Sequence, residues 1–397
     1  MFLSCPESRN EAEVSVTKFL HLADLHIGRR LNECSLLDDQ RHILGEIVRI
    51  AGEERPDGVL IAGDLYDKPV PPAEAVALCD RFLVELAALG TQVFLIAGNH
   101  DSPERLAFGA QLMAGSGVHV APVYNGSIHT VPMQDAFGTV EVCLLPFLKP
   151  TQVRRAFPEA EITSYTDALK QALGTLGPKN GARRVLLAHQ FVTGAARSDS
   201  EELSVGGCDN VDAAVFDGFD YVALGHLHRA QNVGSDRLRY AGSPLKYSFA
   251  EARHEKSVTV VELGRPGACA VRTVPLTPLH ELTELRGSYE ELTRRSRYEN
   301  TSLRDDYVRI TLTDEQEIPD AVGKLRVIYR GLLRLDYDNM RTRQNAELRT
   351  AELSECEEPS PFALFDALYQ TQNNRPMTPE QAAFLQELID RIWEGSK

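Results

Sequence analysis

Residues 57–67 read DGVLIAGDLYD. Pro56 precedes the stretch, Val59 to Ala62 are all apolar, and Gly63-Asp64 ends the run. A short apolar run between turn residues is a buried strand. KFLHLADLH (18–26) is another apolar strand that runs into polar residues, and TQVFLIAGNHD (91–101) is a third. Between them, LLDDQRHILGEIVRIAGEE (36–54) carries apolar residues at helical spacing. PPAEAVALCDRFLVELAALG (71–90) opens with proline and closes with glycine, a helix start and stop. Strand–helix–strand–helix–strand order implies parallel pairing with helical crossovers. Further on, VEVCLLPF (140–147), RRVLLAHQF (183–191), DYVALGHLH (220–228) and KSVTVVEL (256–263) follow with fewer helices. The expected fold is therefore α/β (α+β), with sheets packed face to face and helices outside.

The character changes near residue 275. VPLTPLHELTELRGSYEEL (274–292) reads as a proline-marked linker and then a charged stretch. DDYVRITLTD (305–314) alternates as a half-exposed strand, IPDAVGKLRVIYRG (318–331) reads as a short helix, and LLRLDYD (332–338) as a second alternating strand. This is a small β-α-β unit. Four of the ten residues 351–360 are acidic. Helix starts follow at Ser360-Pro361 and Thr378-Pro379, with Gln381 placed for a capping box. Phe384, Leu388 and Ile392, with Leu385, Ile389 and Trp393, make a broad apolar stripe, fit for the chain's own core or for a partner's groove. The expected division is a polar tail over 1–17, a main domain over 18–275, a small domain over 276–350 and a helical tail over 351–397.

With 43% hydrophobic and 25% charged residues, the composition is that of an ordinary soluble chain. No apolar run approaches the roughly 20 residues that span a membrane. The N-terminus lacks the basic and apolar segments of a signal peptide. Seven cysteines, spread singly and without a CxxC, argue against a disulfide framework and for a reducing cytoplasm. The net charge of −15 disfavours a general electrostatic grip on nucleic acid, so a phosphate substrate would need local cations, metals or a partner subunit.

The strand ends carry the chemistry. The first gives Asp24 and His26, the second Asp64, the third Asn99 and His100, a later one His189, and the last His226 and His228. In an α/β sheet the carboxyl ends of the strands are where ligands bind. In an extended backbone, residues i and i+2 share a face, so paired side chains at that spacing can converge. Carboxylate, amide oxygen and imidazole without thiolate suit Mn²⁺, Fe²⁺ or Zn²⁺. Seven ligands exceed one tetrahedral site and match two ions sharing a carboxylate, for which Asp64, on the middle segment, is the natural bridge. Two ions about 3.5–4 Å apart activate water and clamp a phosphoryl group.

The series DxH, GDxxD, GNHD, a lone His and GHxH resembles the calcineurin-like metallophosphoesterases. FLHLADLHIGRRL, LIAGDLYDK, FLIAGNHDSPERL, DYVALGHLHRAQ and RYAGSPLKYSFAE narrow the resemblance to the nuclease subunits that work with an SbcC-like ABC-type ATPase in DNA double-strand-break repair. The match covers about residues 20–260. It implies a four-layer β-sandwich flanked by helices, a capping domain and C-terminal helices that dock on the ATPase. It implies that Asp24, His26, Asp64 and His228 surround one ion, and Asp64, Asn99, His189 and His226 the other. His100 would approach the scissile phosphate, a task that suits an imidazole. It further implies Mn²⁺-dependent cleavage of DNA, exonucleolytic at duplex ends and endonucleolytic at hairpins, in a homodimer within a heterotetramer gated by the partner's ATP.

Other residues are read more plainly. His21 is a buried histidine bonded to backbone, Asp101 a capping or loop-orienting residue, and Asp67 an orienting acceptor or a turn residue. His42, His129, His254 and His280 are surface or structural. Gly242-Ser243-Pro244 is a turn under the site. Arg29, Arg30, Lys68, Arg105, Arg229 and Lys246 are equally fit for DNA phosphate and for solvent. The same motifs would serve a phosphatase or small-molecule phosphodiesterase; a non-catalytic DNA-end scaffold would not need the full ligand set.

Overall fold

The computed structural model describes residues 16–196, 210–340 and 376–394, with single positions between 342 and 369. The polar tail up to residue 15, the acidic stretch 351–360 and most of the helix start after Ser360 lie outside the described residues.

Among the described residues, twelve strands build the two large sheets of the main body: β1 (Thr17–Leu22), β2 (Gly58–Ala62), β3 (Gln92–Ile96), β4 (Val118–Val120), β5 (His129–Asp135), β6 (Gly138–Leu144), β7 (Arg183–His189), β8 (Tyr221–Gly225), β9 (Gln231–Val233), β10 (Ser235–Tyr240), β11 (Ser257–Leu263) and β12 (Cys269–Pro275). One sheet has the order β12-β11-β1-β2-β3-β4, with β1 to β4 parallel and β11 and β12 antiparallel to their neighbours. The other has the order β9-β10-β8-β7-β6-β5, with β6, β7, β8 and β10 parallel. Phe19, Leu60 and Phe94 of the first sheet meet Val185, Leu187, Tyr221 and Ala223 of the second. The alternate residues Leu20, Leu22, Val59 and Ile61 face outward.

Helices cover both outer faces. Helix α1 (Leu37–Glu54) buries Ile43, Leu44, Ile47, Ile50 and Ala51. Asp38 and Asp39 suit its N-terminal dipole, and Arg55 in the left-handed region ends it ahead of Pro56. Helix α2 (Ala73–Ala88) buries Leu78, Phe82 and Leu86 and stops before Gly90, whose φ is +80°. On the second sheet, α3 (Pro150–Ala156) and α4 (Tyr165–Leu173) contribute Val153, Ala168, Leu169 and Ala172. The result is the four-layer α/β/β/α sandwich expected from the sequence. His21 is fully buried, with Nδ1 2.9 Å from the Tyr221 hydroxyl and Nε2 3.2 Å from the Leu224 carbonyl oxygen.

The small sheet has three parallel strands rather than the expected two: β13 (Leu282–Gly287), β14 (Tyr307–Leu312) and β15 (Gly331–Tyr337). Helix α5 (Ala321–Ile328) joins the last two over a core of Leu285, Val308, Ile310, Leu325 and Tyr329. The extra strand lies inside the stretch read as linker. Only Leu282 and Leu285 are buried there, so period-two alternation never appears. Asp39 of α1 fastens this sheet to the sandwich, accepting from the His280 N–H at 3.1 Å and the Tyr307 hydroxyl at 2.7 Å. Helix α6 (Pro379–Glu394) begins with the expected box: Thr378 N–H donates to Gln381 Oε1 (2.9 Å) and Gln381 N–H to Thr378 Oγ1 (3.3 Å). Phe384 and Leu388 of its stripe are exposed, while the side chains of Ile392 and Trp393 lie outside what the structure describes. No helix among the described residues is long and apolar enough to cross a membrane.

Candidate metal centre

β1, β2, β3, β7 and β8 all end on one side of the sandwich, and the chain leaves several of them through strained backbone. Asp24, His26, Asp64 and His226 have φ of +55°, +43°, +49° and +103°. Non-glycine residues rarely take this region, and such strain gathers at functional sites. Two motif glycines are forced by crowding. A Cβ on Gly98 would lie 2.1 Å from Asp64 Oδ1, and one on Gly225 would lie 2.0 Å from the Ala62 carbonyl oxygen.

All eight residues singled out in the sequence meet here. His26 Nε2 lies 3.1 Å from His228 Nε2 and 3.7 Å from Asp64 Oδ2. His189 Nε2 lies 3.3 Å from Asp64 Oδ2 and 2.9 Å from Asn99 Oδ1, which is 3.1 Å from His226 Nδ1. The His226 N–H donates to Asp24 Oδ1 at 3.0 Å. Asp24, His26 and His228 form one group whose ligand atoms lie within 4.8 Å of one another; Asp24, Asp64 and His189 form a second; His26, Asp67 and His100 form a third. The His100 N–H donates to Asp64 Oδ1 at 2.8 Å, and its Nδ1 donates to the Asp67 carbonyl at 3.0 Å.

The donor set fits divalent ions. Ligands at about 2.0–2.2 Å from one ion stand roughly 2.8–3.1 Å apart at right angles and about 3.3–3.6 Å apart at tetrahedral angles, and His26 Nε2 and His228 Nε2 at 3.1 Å fall at the octahedral end of that span. Asp24, Asp64, His26 and His189 are almost completely buried, and carboxylate lies against carboxylate. Burial, reinforced by Asp64, pushes the Asp24 carboxyl up to about 6. Burial also opposes ionisation of Asp64, but His189 and then His26 outweigh it and hold that carboxyl well below the usual range. His189 is raised to about 9, its burial overcome by Asp64. His26 is lowered by burial. A bound cation would exchange for these protons.

Several residues support the centre, among them Gln40, Glu251 and Lys256, to which no sequence motif assigns a role. Gln40 of α1 donates to the His26 carbonyl at 2.7 Å and accepts from Gly28 N–H at 2.9 Å, pinning the first loop. Glu251 lies 2.9 Å from His228 Nδ1 and 2.6 Å from Lys256 Nζ. Gln40 lies 14 residues from His26 and Glu251 23 residues from His228, separations that make no motif. Asp101 accepts from the N–H groups of Leu65, Tyr66 and Gly98 at 2.9–3.0 Å, the loop-orienting task expected of it. Asp67 holds Arg29 at 2.6 Å.

Beside the centre opens a cleft of 780 Å³. Arg29, Arg30 and Arg253 line it from the sandwich, and Arg309 and Arg334 from the small sheet. Tyr247, on its wall, also packs edge-on against His26 and His228. Of the basic residues named from the sequence, Arg29 and Arg30 lie here, whereas Lys246 is paired with Glu281 at 2.7 Å.

The calcineurin-like phosphoesterase family matches residues 17–230, which hold β1 to β8 of the sandwich and the strand ends. The chain belongs to that family. Residues 278–373 match a second family, described as the Type 5 capsule protein repressor C-terminal domain. The chain is 32% identical over 323 residues to the SbcD subunit of the SbcCD nuclease of Staphylococcus epidermidis, covering 80% of this chain and 84% of that one, and it belongs with the SbcD proteins. Among solved structures, a dimetal phosphatase from Danio rerio (TM-score 0.39, 15% identity, 66% of this chain and 98% of that one) and a Thermus thermophilus protein (0.39, 13%, 65% and 99%) are also similar.

Proposed function

We propose that the chain is a metal-dependent DNA nuclease that hydrolyses phosphodiesters, exonucleolytic on duplex ends and endonucleolytic on hairpins. The observation that carries this reading is the pairing of a buried cluster of carboxylates and imidazoles, Asp24, His26, Asp64, His189 and His228, with an arginine-lined cleft. A polyanionic chain needs such a track next to the reacting bond, and a small phosphomonoester does not. On a chain of net charge −15, the cleft gathers five arginines in its lining against the single carboxylate of Glu284, although Arg29, Arg309 and Arg334 are each paired with Asp67, Glu284 or Asp336.

Asp24, His26, Asp64 and His228 hold one ion, and Asp64, Asn99, His189 and His226 the other, with Mn²⁺ the intended metal. Bound there, the ions supply an activated nucleophile and positive charge for the phosphoryl group. His100, with Nδ1 committed to the Asp67 carbonyl, has its other nitrogen for the leaving oxygen. Gly98 and Gly225 let the loops close. The small domain, 276–350, forms one wall of the substrate cleft. The helical tail, 351–397, docks on an SbcC-like ABC-type ATPase, and two nuclease subunits form a homodimer within a heterotetramer that works in DNA repair and recombination in the cytoplasm.

The test is Mn²⁺-dependent digestion of linear and hairpin duplexes, with and without the ATPase, by wild type and His100→Asn. Wild type is expected to cut both, and the variant to cut about 10²–10⁴-fold more slowly, the usual worth of a proton-transfer group. Hydrolysis of a simple phosphomonoester by both proteins, with DNA left intact, would sink the nuclease reading.

A further inference from the structure

Glu251 is completely buried, ends the stretch RYAGSPLKYSFAE without having been given a role there, and closes a 3₁₀ turn (Phe249–Glu251). Its two oxygens have different tasks. Oε1 lies 2.9 Å from His228 Nδ1, and Oε2 lies 2.6 Å from Lys256 Nζ. The Lys256 ammonium, itself buried, also donates to the His228 carbonyl at 3.0 Å and to Ser243 Oγ at 2.7 Å. Its three protons are thus all used, and it grips both the carboxylate and the backbone of one histidine.

We propose that Glu251 and Lys256 are positioning residues for the metal centre: the carboxylate sets the His228 ring so that Nε2 faces His26, and the ammonium clamps that carboxylate to the backbone of the same histidine. A carboxylate only accepts, so Nδ1 carries a hydrogen and Nε2 is the nitrogen left to ligate an ion. The other side of the centre is built differently. There, His189 Nδ1 donates to the neutral Ala62 carbonyl at 2.8 Å. A charged acceptor makes an imidazole a stronger ligand than a neutral one does. The ion held by His228 therefore depends on Glu251, and the ion held by His189 does not. A buried Lys–Glu pair is also a poor choice for stability alone, since well-packed apolar residues usually do as well.

The inference rests on the two-ion reading above. Its test is calorimetric titration of the full chain with Mn²⁺ in the absence of DNA. Glu251→Gln keeps an oxygen for Nδ1–H but loses the charge, and should weaken one binding phase by about 10–100-fold while the other holds. Because the new glutamine would set its amide against the Lys256 ammonium, Glu251→Gln/Lys256→Met is the control. It should recover the melting temperature lost by the single variant and remain weak for the same ion. Unchanged binding in Glu251→Gln overturns the proposal, as does equal weakening of both phases or recovery of affinity along with stability in the double variant. A wild type that takes only one ion overturns the two-ion reading instead, and this inference then stands only if Glu251→Gln weakens that ion.

Discussion

The two ends of the sandwich bury charge in opposite ways. At the end where β1 and β7 begin, Arg183 is 1% exposed and its amino groups donate to Asp135 and to the carbonyls of Leu263, Gly264 and Gly138. Thr17 adds its N–H (3.0 Å) and hydroxyl (2.6 Å) to the same carboxylate. Burial opposes ionisation of Asp135, but Arg183 overrides it and holds the carboxyl below its usual range. At the far end of those strands, roughly 20 Å away at about 3.3 Å per residue, Asp24, Asp64, His26 and His189 are just as deeply buried. There Asp64 is matched by His189, but Asp24 lies against Asp64 and the His26 ring against His228. A buried charge matched by its own chain is architecture. A cluster of buried ligands that the chain leaves in mutual conflict is a place for a cation from outside.

The largest expected effect breaks the matched end. Arg183→Met leaves Asp135 buried without its counter-charge, which costs about 3–5 kcal/mol. The urea midpoint should fall accordingly while Mn²⁺ affinity stays at the wild-type value. A parallel loss of ion affinity would mean that the two ends are not separable.

The opposite sign is expected at the conflicted end. In metal-free protein, the Asp24 carboxyl is raised to about 6 from its ordinary value of 3.8. Between those values the native state binds more protons than the unfolded one, so stability falls as pH rises through the window and stays lowered above it. Asparagine, which does not titrate, still accepts from the His226 N–H. Asp24→Asn should therefore stabilise the metal-free chain by about 1–3 kcal/mol at pH 7–8 and by little at pH 4. It should also lose ion binding. A variant less stable than wild type at pH 8 would show that Asp24 is matched after all.

The same contrast governs what could be read in advance. The strand ends were legible because each ligand follows an apolar run, and the run marks both strand and edge. Ser243 was legible only as part of a turn under the site and Glu251 only as the end of RYAGSPLKYSFAE, while Lys256 gave no signal; the contacts all three make to His228 are encoded by no spacing. Arg183 and Asp135 are 48 residues apart and look like ordinary strand-end charges. Strand β13 hid because a sheet edge buries only Leu282 and Leu285 of its residues. The hairpin strand β5 was missed too, since none of its seven residues is fully buried.

Arg334 gives the smallest effect and the finest test of the rule. Its side chain is 57% exposed, pairs among the described residues with Asp336 at 3.0 Å, and lines the cleft beside the centre. Exposed pairs of this kind contribute about 0–1 kcal/mol. Arg334→Ala should thus leave stability within about 0.5 kcal/mol, unlike the change at Arg183. If the cleft carries DNA phosphate, duplex binding should weaken about uniformly across sequences, and the slope of log affinity against log salt should drop by about one. Binding with an unaltered salt slope would remove Arg334 from the substrate track, and with it the claim that the small sheet forms one of the walls.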